Sequence, residues 1–542
     1  MGVRGRKSEV GSQRSEVRNL ESGIWNLELN FEMSAVYPEI TVPGRSPTRQ
    51  SPAQQPSSRR SVFVWLAPVQ AMCVFTILAI VGGGQILRGW ILSSLLFLMA
   101  LPLALSLEAG LLAMILFEPF RGLIRRLQFL IVDYSQFDPI HVLTPIVALM
   151  ALGMMLKRYR LNIVRATPLA SSVSIFAAIL FLQIFNPLQG GLMIGMSGAM
   201  LILMPVCWFY FGQAVNPRFI HIAFKVIVAL GMISSLYGLY QLIYGYPQFE
   251  QYWLENVEFY ASIGVGHVKR PLATFTSAEE WGRYISMGTL IAFGFGAGAS
   301  RLLNRAGWFV CGAMLSTVLL FTGQRTAIFG LLLGIACLVL LGARNMRGVA
   351  VRLTVMLIPL VLIMVIAKPP AEDDMWSREE TDKVGTLLSH TQRGTLQPTG
   401  EESLYVRFEV WQDLITNVIP YRPLGSGAGA GSLSALKFAG GPDDDMAIDN
   451  FVLVLAVAGG IPAALLFLWI LGRATLFAFR QTRRLAPDSS AAVTARIIAA
   501  MMPVFILNNI FGLTFSLYAV APIGWLIIGW ISAEEGRARE AN

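Results

Sequence analysis

The sequence predicts an all-α polytopic integral membrane protein with about 12–14 transmembrane helices and one large external loop that contains surface helices. Of its 542 residues, 55% are hydrophobic and only 14% are charged. The apolar residues come in runs of about 20, which is the length a helix needs to cross a bilayer. Short charged connectors separate these runs, and this composition is typical of a membrane protein.

The net charge of +9 does not indicate a nucleic-acid partner. Arg and Lys concentrate in an N-terminal tail and in short connectors, which the positive-inside rule explains as orientation signals. The cysteines lie inside apolar runs without metal-ligand spacing, so neither a disulfide nor a metal site is expected. The four are Cys73, Cys207, Cys311 and Cys337.

Taken in order, the chain divides into five parts. Residues 1–60 are polar and predict a flexible cytoplasmic tail, with no secretory signal near Met1. Residues 61–367 form the first part of the membrane domain and include an external segment at 245–281. Residues 368–448 form the large external, periplasmic loop, residues 449–532 form the last part of the membrane domain, and residues 533–542 form a cytoplasmic tail.

The apolar runs predict individual spans, but the number of crossings before residue 140 stays open. Glu108–Ile131 is either a further crossing or a basic amphipathic helix at the membrane interface. The predicted spans are Val62–Val81, Trp90–Leu107, Ile140–Leu156, Pro168–Phe185, Leu192–Phe211, Phe219–Tyr244, Gly282–Ala299, Gly307–Thr322, Ala327–Gly342, Val349–Ala367, Asn450–Leu471, Val493–Phe511 and Thr514–Ile531.

Tyr405–Ile419, in the large loop, is the strongest candidate for a surface helix. Apolar residues recur there at helical spacing, with Trp411 beside them. We expect Arg407 to lie on a different face from this stripe, where it pairs with Glu409 or Asp413 or binds a ligand. The stripe consists of Val406, Val410, Leu414 and Val418.

The glycine-rich run Pro423–Gly431 (PLGSGAGAG) follows this helix. Glycines adopt positive φ and let the main chain approach a ligand, and backbone N–H groups in such loops hold phosphate oxygens. The run matches neither the Walker pattern nor a dinucleotide fingerprint. The acidic residues Asp443–Asp445 further along are interpreted as a solvated turn in preference to a cation site.

Three arginines on the predicted external face run against the positive-inside trend. Arg270 follows His267, Arg325 lies in a tight turn between two spans, and Arg407 lies in the large loop. Three such exceptions near span ends indicate an anionic ligand at the outer membrane surface.

An ordered set of motifs resembles the bacterial O-antigen ligase and Wzy-type polysaccharide polymerase superfamily. The motifs are RPLATF at Arg270–Phe275, TGQRTAIFGLLLG at Thr322–Gly334, YVRFEVWQDLI and PLGSGAGAG in the large loop, and DNFVLVLAVAGGIPAALLF at Asp449–Phe467. The resemblance implies glycan transfer from a polyprenyl diphosphate carrier to an acceptor hydroxyl, with no nucleotide sugar, cofactor or required metal.

The resemblance also implies the site residues. The catalytic candidates are Asp449, Arg407 and Arg270. The candidates for binding the diphosphate or the glycan are Arg270, Arg325, Arg407, Gly425, Gly427, Gly429, Asn450 and Trp411.

The residue that activates the acceptor is open. The ligase branch carries a histidine where this chain has Asp449, and the absence of that histidine favours a polymerase. Asp449 is either the base or a cap of the following helix. His267 and Glu409 are the alternative bases.

The expected function is therefore a polysaccharide polymerase for exopolysaccharide or O-antigen, acting at the outer leaflet of the bacterial plasma (inner) membrane. The alternatives are a ligase that transfers to lipid A core or protein, and, in another class, a polysaccharide or lipid-linked sugar transporter. Expected partners are the polyprenyl (undecaprenyl) diphosphate-linked oligosaccharide, membrane lipid, and flippase, chain-length regulator and export proteins.

Overall fold

The computed structural model describes residues 86–131, 138–159, 162–163, 166–256, 264–265, 268–342, parts of 348–358, 383–396, 402–431, 448–486 and 489–541. The predicted N-terminal tail, the span Val62–Val81 and most of Val349–Ala367 lie outside these residues. The described chain is almost wholly helical, which confirms the all-α fold class.

The first half of the described chain contains nine helices. They are α1 (Ile86–Leu105), α2 (Leu107–Phe117), α3 (Arg121–Gln128), α4 (Leu143–Tyr159), α5 (Ala170–Gln183), α6 (Leu192–Ile202), α7 (Cys207–Ala214), α8 (Pro217–Tyr244) and α9 (Gln248–Asn256). A two-stranded antiparallel hairpin, β1 (Gly264–Val265) and β2 (Val268–Lys269), follows α9.

The second half continues with eight helices. They are α10 (Ala278–Gly298), α11 (Leu302–Leu320), α12 (Arg325–Gly342), α13 (Lys383–Leu396), α14 (Glu402–Asp413), α15 (Phe451–Arg484), α16 (Ser490–Ile510) and α17 (Ala521–Glu540). A π-helical turn, Leu414–Val418, extends α14.

Eight helical stretches in the described part of the chain are long and apolar enough to cross a membrane, which supports a multi-pass membrane protein. They are Arg88–Leu105, Pro139–Arg158, Leu192–Ala214, Pro217–Tyr244, Leu302–Leu320, Arg325–Gly342, Phe451–Arg484 and Ser490–Ile510. Helices α10 and α17, which contain most of the predicted spans Gly282–Ala299 and Thr514–Ile531, fall outside this set. Each carries charged residues at one end, which shortens its apolar stretch.

Two predicted spans have interruptions that the apolar pattern did not show. The run Leu192–Phe211 is broken between α6 and α7 by a 3₁₀ turn at Met204–Val206, where Pro205 cannot donate a backbone hydrogen bond. Helix α15 is kinked at Gly460 (φ 80°), two residues before Pro462. Both prolines lie in otherwise apolar runs, so hydropathy alone passes over them.

The segment Glu108–Ile131 forms α2, a 3₁₀ turn and α3, and its arginines face the protein interior. Arg121, Arg125 and Arg126 are buried. They therefore do not form the exposed basic face that an interfacial helix requires. The acidic partners within 4 Å come from the same turn and from three other segments: Glu118, Asp138, Glu250 and Glu280.

An aromatic cluster joins the start of α15 to α17. The Phe467 ring lies 5.2 Å from Phe451, 5.5 Å from Phe515 and 6.2 Å from Trp525, measured between centroids. Aromatic pairs at these distances add to the burial energy of the rings. The cluster fixes the first turn of α15, and with it the residue immediately before that helix, Asp449.

Candidate functional site

Arg270 is held at the end of the β hairpin by contacts to its main chain. Register pairs Gly264 with Lys269 and Val265 with Val268, so the hairpin delivers the chain directly to Arg270. The Tyr246 hydroxyl donates a hydrogen bond to the Arg270 carbonyl. The position of Arg270 is therefore fixed independently of its side chain.

The loop after Arg270 has a strained backbone and is held in place by several buried hydrogen bonds. Ala273 has φ 49°, a left-handed conformation that costs a non-glycine residue about 1–2 kcal/mol. Gln241 Oε1 accepts hydrogen bonds from the backbone N–H groups of Leu272 (3.1 Å) and Ala273 (2.7 Å). Arg126 donates to the carbonyls of Ala273 and Phe275. These buried bonds hold the strained loop in one conformation.

Arg325 reaches the same place from the turn before α12. Gly323 adopts φ 67°, a conformation that glycine provides without steric cost. A Cβ on Gly323 would lie 3.4 Å from Arg270 Nε, so the turn passes directly beside the Arg270 side chain. Arg325 is the first residue of α12 and is half-buried.

His390 lies between these two arginines. Its Nε2 is 3.4 Å from Arg270 Nη2 and 3.1 Å from Arg325 Nη2. Helix α13 holds it there, because Leu387 packs with Val265 and Val268 of the hairpin. Burial first, and then the neighbouring Arg325 and Arg270 charges, lower the pKa of His390 to about 3, so its imidazole is neutral.

Arg407 and Asp449 form an ion pair, with Arg407 Nη2 2.8 Å from Asp449 Oδ2. The prediction that Arg407 lies on a different face from the apolar stripe is wrong. It is half-buried one turn before Trp411, on the side that α14 turns toward the protein. The expected partners Glu409 and Asp413 are not used, because Asp449 lies closer to the guanidinium.

The three arginines form one electrostatic cluster. Burial lowers the pKa of Arg270, the Glu279 carboxylate opposes this, and Arg407 lowers it further. The guanidinium groups of Arg270 and Arg407 also act on Arg325. Like charges gathered in this way favour an anionic ligand that neutralises them.

Glu279 is a second acidic residue of the site, besides Asp449, and is held by Arg283. Arg283 Nη2 donates to Glu279 Oε1 at 2.7 Å, while its Nη1 donates to Thr514 Oγ1 at 2.7 Å and to the Asn508 carbonyl at 2.9 Å. The buried Arg283 thus ties the first turn of α10 to the segment that connects α16 and α17.

Asp449 lies in the described site, and its carboxyl group has a shifted pKa. Burial raises the pKa of its carboxyl group, Arg407 opposes this, and Glu279 adds to the rise. The alternative role as helix cap is wrong, because the cap of α15 is Asn450, whose Oδ1 accepts a hydrogen bond from Leu453 N at 3.1 Å. Asn450 is buried in this role.

Trp411 packs against the helical bundle. Its ring centroid lies 5.7 Å from that of Phe511 and 5.3 Å from that of Phe408. The indole therefore anchors α14 to the end of α16, and through α14 it supports the position of Arg407.

The glycines of Pro423–Gly431 let two segments of backbone pack together. The N–H groups of Gly425, Gly427 and Gly429 donate to the Arg422 carbonyl, the Ala458 carbonyl and Gln189 Oε1. A Cβ on Gly425 would lie 2.5 Å from the Ala458 carbonyl oxygen. These N–H groups are thus engaged within the protein, which leaves none of the three to hold a phosphate as the sequence suggested.

The remaining predicted residues lie apart or outside the described chain. Glu409 is exposed on α14 and forms no ion pair with any described residue. His267 and Asp443–Asp445 are outside the described residues. No group of three His, Cys, Asp or Glu side chains within the described ranges is placed to share a metal ion.

His390, Glu279 and Arg283 are site residues that the sequence reasoning missed. Glu279 and Arg283 stand four residues apart at the start of a helix, which is the spacing of a helical ion pair and was a usable signal. His390 gave no such signal, since a single histidine in a polar segment becomes notable only when the fold brings Arg270 and Arg325 to it.

The fold and the site define a multi-pass helical membrane protein with an arginine cluster beside a carboxylate. Residues 310–468, less than a third of the chain, match a family model described as O-Antigen ligase. This match confirms the resemblance to the O-antigen ligase and Wzy superfamily. It includes Arg325, His390, Arg407 and Asp449, while Arg270 precedes it. No curated protein matches the chain.

The family match supports polysaccharide-related glycosyl transfer at a membrane. It suggests a glycosyltransferase-like enzyme and implies lipid-linked polysaccharide substrates together with membrane lipid.

Proposed function

We propose that the protein is a polysaccharide polymerase that transfers glycan repeat units from a polyprenyl diphosphate carrier to a sugar hydroxyl. The observation that carries this proposal is the convergence of Arg270, Arg325 and Arg407 next to Asp449. Residues separated by more than 170 positions in the sequence meet there, and they supply both charges that such a transfer requires.

The arginines suit a diphosphate leaving group. The bond between the sugar anomeric carbon and a phosphate oxygen breaks, and its electron pair leaves with the diphosphate. Guanidinium groups already in place stabilise that growing charge without reorganisation, and their planar forks match phosphate oxygens. Glu279 and Arg325 lie in the first turns of α10 and α12, and α15 begins directly after Asp449 and its cap Asn450. Three helix N-termini therefore add partial positive charge at the arginine cluster.

Asp449 is proposed as the base for the acceptor. As the acceptor oxygen bonds to the anomeric carbon, its proton passes to the Asp449 carboxylate. A carboxylate with a raised pKa is a stronger base, which suits this step. Arg407 holds this carboxylate through the 2.8 Å ion pair and contributes its own charge to the diphosphate site.

Ligase-type transfer, to lipid A core or to a protein, is the second candidate, because the matched family model carries that description. The chemistry at the donor is the same in both cases. The acceptor differs, and Asp449 in place of the ligase histidine favours the polymerase.

The proposal locates the enzyme in the bacterial plasma (inner) membrane with the arginine cluster at the outer leaflet. There it would use an undecaprenyl diphosphate-linked oligosaccharide, with flippase, chain-length regulator and export proteins as its protein partners. Metal independence belongs to this proposal as well.

Complementation of a deletion strain tests the proposal. Arg270→Ala and Arg407→Ala should abolish long polymer while the protein level holds and lipid-linked repeat units accumulate. Arg301→Ala, at an exposed arginine before α11, is the matched control and should restore polymer. Normal polymer in both site variants contradicts the proposal, and loss of a capped acceptor without loss of polymer supports the ligase alternative.

A further inference from the structure

His390 is a titratable group in the site that the proposed transfer does not use. Its ring contacts two cations, with Nε2 3.4 Å from Arg270 Nη2 and 3.1 Å from Arg325 Nη2. Within the described chain, no acidic side chain forms an ion pair with it. An imidazole held this closely by two guanidinium groups is unusual, because protonation places three positive charges together.

The geometry assigns the empty-site state of this imidazole. Arg325 Nη2 lies 3.1 Å from Nε2 and 3.2 Å from Nδ1 of the ring. A guanidinium group only donates hydrogen bonds, so at least one of these two nitrogens accepts and carries no proton. The ring is therefore neutral, in agreement with its lowered pKa. In this state it lets two like-charged side chains approach the same point.

The described elements around His390 carry further basic residues. The elements packed against α13 carry Lys269 on β2, Arg325 on α12 and Arg305 on α11, and α13 itself carries Lys383 and Arg393. Glu279 and Arg407 act on Arg270. Among the described residues, Arg325 and Arg270 are the charges that act on the imidazole, and both lower its pKa.

We propose that His390 is a diphosphate-responsive ligand, which takes up a proton from solvent when the carrier diphosphate binds between Arg270 and Arg325 and then donates a hydrogen bond to a phosphate oxygen. This inference rests on the proposed function. The two negative charges of the bound diphosphate oppose the charges of the two arginines at the ring, and each opposite charge within about 4–6 Å raises a pKa by about 1–3.

The proton balances over one turnover. It enters from solvent at binding, remains on the imidazole while the glycan leaves the diphosphate, and returns to solvent when the carrier diphosphate departs. The proton of the acceptor hydroxyl follows a separate route through Asp449. The protonated imidazole of His390 is thus present only in the loaded site, where it stabilises the charged leaving group. In the empty site the neutral ring adds no repulsion to the two arginines.

Calorimetry on the purified protein tests this inference. The probe is a farnesyl diphosphate-linked monosaccharide, whose phosphates do not titrate near neutral pH. Its binding heat is measured at about pH 5 in two buffers of different ionisation enthalpy, which gives the number of protons taken up. We expect wild-type protein to take up about half of one proton or more per ligand and His390→Gln to take up almost none.

Affinity supplies a second measurement that needs no variant. Because the loaded site has the higher His390 pKa, binding is strongest below the empty-site pKa of about 3. It weakens by up to about tenfold per pH unit between the two pKa values and levels off above the loaded-site pKa. His221→Gln, at a histidine on α8, is the control and should keep both the proton uptake and this slope.

The possible outcomes separate the two proposals. Binding without proton uptake between about pH 5 and about pH 9 overturns the role of His390 and leaves the proposed function standing. Failure of the wild-type protein to bind the probe at all overturns the proposed function and this inference with it. Proton uptake that persists in His390→Gln assigns the titration to another group and overturns the inference.

Discussion

Arg407 Nη2 lies 2.8 Å from Asp449 Oδ2 and joins the middle of α14 to the residue that precedes the cap of α15. Both side chains are more than a third exposed, at 37% and 39%. An ion pair in that setting contributes only about 0–1 kcal/mol to stability. Its position beside Arg270 and Arg325 therefore indicates a functional role.

We predict that Arg407→Ala and Asp449→Asn separate stability from activity. Each should change the free energy of unfolding by less than about 1 kcal/mol, because the pair is partly solvated. Each should reduce glycan transfer by about 10²-fold or more, because a base or a leaving-group ligand is lost. Thermal unfolding in detergent and transfer by the same preparation provide the two measurements. Asp413→Asn on the exposed side of α14 is the control, and a comparable loss of transfer there would contradict the assignment.

The acid limb of the pH–rate profile should report Asp449. Its carboxylate must be unprotonated to act as base, so the rate falls as the pH falls through its raised pKa. Arg407→Gln removes the cation that lowers this pKa. The acid limb of the residual activity should then move to higher pH, whereas Arg422→Gln leaves it in place. If the acid limb of the pH–rate profile stays at the same pH in Arg407→Gln, a group other than Asp449 causes it.

The two arginines beside His390 should not tolerate lysine. Arg270→Lys and Arg325→Lys keep the charge but lose the planar fork that binds two phosphate oxygens. We expect donor affinity to fall by about tenfold or more in each, from the loss of a charge-assisted hydrogen bond. Titration with the farnesyl diphosphate-linked monosaccharide measures this. Unchanged affinity in both variants would mean that the diphosphate binds elsewhere.

The glycine-rich segment should matter for stability and not for donor binding. Gly425→Ala places a methyl group 2.5 Å from the Ala458 carbonyl oxygen at φ 94°, so it should cost about 1–3 kcal/mol of stability. Gly472→Ala on α15 has open space around it and should change stability by at most about 1 kcal/mol. Folded Gly425→Ala protein should bind the donor like wild type. A loss of donor affinity with unchanged thermal unfolding would show that the glycines do take part in donor binding.

We expect Arg126 to affect donor binding by Arg270, because it holds the loop that follows Arg270. Its guanidinium group holds the carbonyls of Ala273 and Phe275 and pairs with Glu250 at 2.7 Å, all in the interior. Lysine keeps the charge, but its ammonium group cannot replace the planar fork that holds two carbonyls and a carboxylate at once. Arg126→Lys should therefore lower the unfolding temperature and weaken donor binding, while Arg218→Lys on the exposed start of α8 should do neither. Wild-type donor affinity in a destabilised Arg126→Lys protein would separate this network from the site.

The fold class could be predicted from the sequence, and the three arginines that meet in the structure could be singled out there, because both leave local signals. The role of the arginines stays a prediction. Apolar runs of bilayer length mark spans, and an arginine at an unexpected span end stands out within its own few residues. The kink at Gly460 and the break at Pro205 needed tertiary context, since each lies in a run that remains apolar throughout.

The sequence could not predict which residues meet. Asp449 contacts Arg407 because the Phe451–Phe467 cluster fixes the start of α15. His390 contacts Arg270 because Leu387 packs on the hairpin. These contacts are long-range packing events, which no local pattern encodes. The glycine run shows the reverse case, a local pattern that suggested a phosphate loop and instead allows backbones to pack closely.

The central claim is that Asp449 and the arginine cluster transfer a glycan from a polyprenyl diphosphate. Purified protein supplied only with a defined polyprenyl diphosphate oligosaccharide, without nucleotide sugar and with a metal chelator present, tests it most directly. We expect the wild-type protein to elongate the oligosaccharide and Asp449→Asn to bind it with little turnover. Elongation by Asp449→Asn at the wild-type rate would contradict the role of Asp449, and the absence of any elongation by wild type would contradict the proposed transfer.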